Sequence, residues 1–149
     1  DLGAGINPTV LAFAAMTQIR IVIVTPEPTS LTDSYALMKV LSTQHGVRDF
    51  FVIVNQAESR KEETQTFERL AAACRKFLDI EPQFLGGVRL DKALPEAVRK
   101  QKPLMRIAPQ SPAAQDLFSI AVKLQRMRSA LLPELADRPP LRALAEGAY

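Results

Sequence analysis

The chain has 149 residues, of which 47% are hydrophobic and 23% charged, enough for one domain with a packed core and too apolar for a disordered segment. No run approaches the roughly 18 apolar residues of a membrane span, and a single cysteine, Cys74, excludes an internal disulfide framework or a multi-cysteine cluster held within one chain. The formal charge of +3 fits occasional contact with phosphates or acidic surfaces but does not argue for nucleic acid. In the absence of a targeting signal, the cytoplasm is the expected compartment.

The first six residues, Asp1-Leu2-Gly3-Ala4-Gly5-Ile6, place an acid before a glycine turn. In nucleotide-binding α/β enzymes that pattern follows a core strand, where the carboxylate faces a metal-bound water and the glycine amides approach a phosphate. No strand precedes it here, so the expectation is a partial domain that starts at its switch. A short apolar helix is then predicted over Asn7 to Gln18. Three apolar, β-branched runs, Ile19 to Val24, Phe50 to Val54 and Phe84 to Val88, read as strands buried on both faces. Between them, Ser30 to Gln44 opens on a capping box of Ser30 with Asp33 and stops at His45-Gly46. Ser59 to Asp79 opens on a second box, Ser59 with Glu62, and carries an apolar stripe of Phe67, Leu70, Ala71, Cys74, Phe77 and Leu78.

Strands alternating with helices of these lengths imply βαβ units and a parallel, doubly wound sheet, about three strands flanked by helices. After the third strand, Asp91 to Gln101 is predicted as a short helix ended by Pro103. Ser111-Pro112 caps a long amphipathic helix from Ala113 to about Leu132, with Leu117, Ile120, Ala121, Leu124, Met127 and Leu131 facing the sheet. Residues 1–132 thus form a partial nucleotide-binding domain, and 133–149, with Pro139-Pro140, a loosely docked tail.

In open α/β sheets ligands sit at the carboxyl ends of the strands, so the segments to read for chemistry are Thr25 to Ser30, Asn55-Gln56 and Arg89-Leu90-Asp91. An asparagine there offers both a donor and an acceptor to an adenine edge, although an asparagine ending a strand is more often a plain turn residue. Glu27 and Asp33 are assigned to the turn and the helix start, His45 to a helix end, and Cys74 to the core. The basic group Lys92, Arg99, Lys100, Lys102 and Arg106 is either a solvated face or a contact surface for a partner protein or acidic lipid heads.

Taken in order, these segments resemble the MinD/ParA-like P-loop ATPases, and within them the flagellar-number regulators of the FlhG (FleN) type. The resemblance rests on Thr25-Pro26-Glu27-Pro28-Thr29-Ser30-Leu31-Thr32-Asp33-Ser34-Tyr35-Ala36-Leu37-Met38-Lys39, on the opening Asp1 to Ile6, and on Phe51-Val52-Ile53-Val54-Asn55. Leu85-Gly86-Gly87-Val88 with Asp91, Ala97 to Pro103, and Pro109 to Ala114 follow in the matching order. It spans about residues 1 to 128. The resemblance implies that Asp1 is the switch II aspartate near the water shell of magnesium, with no direct metal ligand in the chain. By the same token Gly3 and Gly5 form the turn that responds to nucleotide, Asn55 reads adenine, and Leu90 and Asp91 close over the base. Relatives often carry a proline before or near that aspartate where this chain has Arg89-Leu90, which puts the base contact of Leu90 in question more than that of Asp91.

No Gly-x-x-x-x-Gly-Lys-Ser/Thr phosphate loop occurs in these residues. The implied cofactors, ATP and magnesium, therefore belong to an intact parent, and this polypeptide alone is expected neither to bind them nor to hydrolyse ATP. The implied parent dimerises around ATP and regulates flagellar placement and number. Its partners would be a flagellar signal-recognition-type GTPase, a basal-body component or a transcriptional activator. Two alternatives stand beside this reading: a nucleotide-free interaction module, and a chromosome-partitioning ATPase with salt-sensitive DNA binding. Peripheral attachment to the inner membrane face has weak support, because prolines interrupt the C-terminal apolar face. Ile19 to Val24 is further expected to present an open sheet edge that self-associates or is covered.

Overall fold

The computed structural model describes residues 5–136. Three strands, β1 (Ile21–Val24), β2 (Phe51–Ala57) and β3 (Gln83–Arg89), form one parallel sheet in that spatial order. Successive side chains on a strand point to opposite faces, and the two faces are covered differently. Val22, Val24, Val52 and Val54 pack beneath α1 (Pro8–Met16), α2 (Pro28–His45) and α3 (Arg60–Leu78) in a core that includes Met38, Leu41, Leu70 and Cys74. Val88 and Ile53 on the other face meet Ala113, Ala114 and Ile120 of α6 (Pro112–Ala136), joined by the short α4 (Ala93–Arg99) and α5 (Leu104–Ile107). The parallel α/β architecture and the three strands agree with the sequence reading.

Differences are local and have local causes. β1 is buried on one face only: Ile21 and Ile23 are exposed, because α6 reaches β3 and the middle of β2 but not β1. Helix α2 starts at Pro28 rather than Ser30, since proline's fixed φ and missing N–H suit the first helical turn. The expected Ser30–Asp33 box is not made; Ser30 Oγ instead accepts from the Thr25 N–H at 2.9 Å. The other end follows expectation, with Gly46 in the left-handed region at φ 66°. At the start of α3, Ser59 Oγ accepts from the Glu62 N–H, and Glu62 reaches back to the N–H of Glu58. Phe77, at the margin of the α3 stripe, turns to solvent, with Lys76 Nζ 5.1 Å from its ring centroid.

Pro103 both ends the α4 segment and caps α5, a helix that the sequence reading does not contain. α6 continues four residues past the expected Leu132, with Pro133 inside it at the cost of one N–H donor. The remainder of the expected tail lies outside the described residues. Cys74 is fully buried, 3.9 Å from Met38 Sδ, and burial pushes its thiol up to about 11, as fits a packed core residue. Among the described residues, no helix is long and apolar enough to cross a membrane.

Candidate functional site at the carboxyl ends of the strands

The strand ends expected to hold a ligand do converge. A cleft of about 180 Å³ is lined by Thr25, Pro26 and Glu27 after β1, by Gln56 and Glu58 at the end of β2, by Glu62 in the first turn of α3, and by Leu90 after β3. Its shape depends on a bulge. Asn55 pairs with Val88 and Ala57 with Arg89, so Gln56 is an extra residue on β2, held at φ 59°. A side chain larger than glycine in that region costs about 1 kcal/mol or more. The bulge lets β2 run to Ala57, three residues past its expected end, while turning Gln56 into the cleft.

Leu90 donates its N–H to Ala57 O at 2.9 Å and leaves its side chain 61% exposed at the rim. Thr25 Oγ1, also on the cleft wall, is buried without a hydrogen-bond partner. A buried hydroxyl left unmatched in this way suits a site that completes itself with a ligand or water. Three carboxylates, Glu27, Glu58 and Glu62, surround the space. They accept N–H or O–H groups and repel phosphate, so the cleft suits hydrogen-bond donors rather than a phosphate chain.

The other residues expected at the site are engaged locally. Asn55 Oδ1 accepts from the Gln56 N–H at 3.0 Å and so supports the bulge. Asp91 spends both carboxylate oxygens on helix starts: Oδ1 accepts from the Ala93 N–H at 2.9 Å and Oδ2 from the Ala113 N–H at 3.0 Å. These bonds, first that of Ala113 and then that of Ala93, hold its carboxyl below the usual range. Gly5, at φ 101°, borders a wider apolar groove along β1 rather than the cleft, and the groove and the cleft meet at Glu27. Asp1 and Gly3 lie outside the described residues.

Behind the rim stands a charged cluster absent from the sequence reading. Asp116, in the first turns of α6, is 3% exposed and receives Arg89 and Arg60 together. Burial pushes its carboxyl up, yet the hydrogen bonds from Arg89 and the charge of Arg60 outweigh that and leave it below the ordinary value. Arg60 also binds the buried Glu63 at 2.7 Å, and Glu63 packs where a Cβ on Gly87 would be. The only local hint was a carboxylate set among Ala113, Ala114 and Leu117 on the buried side of a helix.

No family model matches the sequence. The chain is 36% identical over 124 residues to the antiactivator FleN of Pseudomonas aeruginosa, an alignment covering 83% of this chain and 44% of that protein. It is 34% identical over 122 residues to the flagellum site-determining protein YlxH of Helicobacter pylori, covering 81% of this chain and 41% of that one. The chain therefore spans less than half the length of the curated relatives that it matches. Over that span, the chain's homologues are FleN/FlhG-type flagellar regulators of the MinD/ParA family, and its parallel α/β sheet agrees with that kinship.

Proposed function

We propose that this chain supplies the base-side half of an ATP site in a MinD-type ATPase, which dimerises with ATP and regulates flagellar placement and number. The observation that carries the reading is the bulge at Gln56. It draws three strand ends into one cleft whose acidic rim and unmatched Thr25 hydroxyl suit a base and ribose. Thr25, Asn55 and the Leu90 loop would hold that part of the nucleotide. When bound, ATP with magnesium supplies the γ-phosphate whose presence or loss distinguishes the two functional states. Residues for the triphosphate would come from outside these 149, since the sequence contains no phosphate loop. The names of the two relatives support the flagellar role. Among the three expected partner classes, the antiactivator supports a transcriptional activator.

A second reading, a nucleotide-free interaction module, draws on Asp91 and Asn55, whose side-chain bonds serve the fold itself. Titrating the full-length parent with ATP, with and without magnesium, separates the two. Magnesium-dependent binding that weakens about tenfold in Asn55→Ala, a loss of roughly 1.4 kcal/mol, supports the nucleotide site. No magnesium-dependent binding rejects it in favour of the module; binding that Asn55→Ala leaves unchanged removes Asn55 from the site.

A further inference from the structure

We propose that Asp116 is a positioning residue for base recognition: without lining the cleft, it clamps the Arg89–Leu90–Asp91 loop and the start of α3 into one frame. This inference rests on the nucleotide reading above. Four hydrogen bonds converge on its carboxylate. Oδ2 accepts from the Arg89 backbone N–H at 3.0 Å and from Arg89 Nε at 2.8 Å, while Oδ1 accepts from Arg89 Nη2 at 3.1 Å and Arg60 Nη2 at 2.5 Å.

The backbone bond is the telling one. A side-chain pair alone would tie down a guanidinium; a bond to the Arg89 N–H fixes the main chain one residue before Leu90, the rim residue. On the far side of Leu90, Asp91 is fixed by Ala113 of the same helix, and Leu90 itself is bonded to Ala57 at the bulge. The loop is thus held from α6 on both flanks and from β2 at its centre. Through Arg60 the same carboxylate reaches the first turn of α3, between the cleft residues Glu58 and Glu62. One buried anion therefore sets the distance between two walls of the cleft.

The chemistry requires a carboxylate. An asparagine keeps the shape but replaces two equivalent acceptors with one oxygen and one NH2, which would point a donor at a guanidinium. At Arg89 a lysine keeps the charge yet loses the planar fork that makes the paired Nε and Nη2 bonds. A frame of this kind governs fit around the base, so its loss falls on discrimination between bases more than on the triphosphate contacts that any purine nucleotide shares.

The test is the affinity of the full-length parent for Mg-ATP and Mg-GTP, measured beside its thermal midpoint. The unsubstituted protein is expected to prefer ATP. Asp116→Asn should cut the ATP-to-GTP preference about tenfold through weaker ATP binding, and Arg89→Lys should shift it the same way by a smaller factor. A folded Asp116→Asn protein whose preference is unchanged, whatever its thermal midpoint, overturns the proposal. Should Asp116→Asn fail to fold, Arg89→Lys decides instead, its side chain being one-third exposed; an unchanged preference there overturns the proposal equally. If the unsubstituted parent binds no Mg-ATP, it is the nucleotide reading that fails, a result distinct from either variant's.

Discussion

The sheet has two ends, and they are finished in opposite ways. At β3, α6 supplies a lid of alanines and Ile120, a lysine that donates to the strand (Lys123 Nζ to Leu85 O, 2.8 Å), and a buried carboxylate at the strand's end. At β1, no described residue covers the face on that same side, with Ile23 61% exposed and Ile21 beside it. β1 is four β-branched residues, whereas β3 carries two glycines, one of which, Gly86, lets Ile120 of α6 come close. The difference lies in which neighbours each strand has within these residues. β3, like β1, pairs with β2 alone, but it is packed on both faces and is fixed by polar bonds of defined direction. β1 has its partners on one face, and its other face offers only apolar area, which is non-directional and open to whatever covers it.

The strongest way to break the finished end is at Gly87. Its missing Cβ leaves room for the buried Glu63, which Arg60 holds in place. Gly87→Ala should evict that carboxylate from its site and lower stability by about 3 kcal/mol, the scale of overpacking combined with a disturbed buried charge. A urea titration checks it; a loss under about 1 kcal/mol would mean that Glu63 can shift freely.

Acid should act on the same end with a smaller effect. Asp116 has a folded-state pKa below its unfolded value, so its contribution is fully present above the unfolded carboxylate range near about pH 4. It is lost as pH falls through the lower folded value. The gap in urea midpoint between the unsubstituted chain and Asp116→Asn should be constant above about pH 5 and narrow below about pH 4. Asp91, also depressed, is present in both chains and cancels. A gap that widens in acid would reverse the assignment.

At the open end the expected change in stability is smallest and the change in association largest. Ile23→Lys alters an exposed side chain and should move the unfolding free energy by no more than about 0.5 kcal/mol. If the bare face pairs copies of this chain, sedimentation of the unsubstituted chain will depend on concentration and that of Ile23→Lys will not. Equal behaviour of the two would show that the face is not a self-association surface.

The strands and their order were readable from the residues, but the uncovered face of β1, expected to be buried, was not. Continuous β-branched runs mark strands because few other environments favour them, and Gly46 marks a helix end because its backbone conformation excludes most side chains. The Thr25, Gln56 and Leu90 segments were found by asking where parallel strands end. The bulge at Gln56 was not legible, since it exists only in the register between β2 and β3. Nor was the Arg89–Asp116 pair, whose members stand 27 positions apart and meet only after α6 folds over β3. Ser30 shows the opposite failure: its local pattern suits a capping box, but Pro28 starts the helix earlier and frees the hydroxyl for the Thr25 N–H.

Asp91 has a mechanical consequence. One carboxylate caps the starts of α4 and α6 together, so these helices share a pivot. Its two oxygens hold both helix starts at one point beside Leu90. Arg99, carried on α4, is thus tied through the same acid to the loop beside the cleft and to α6.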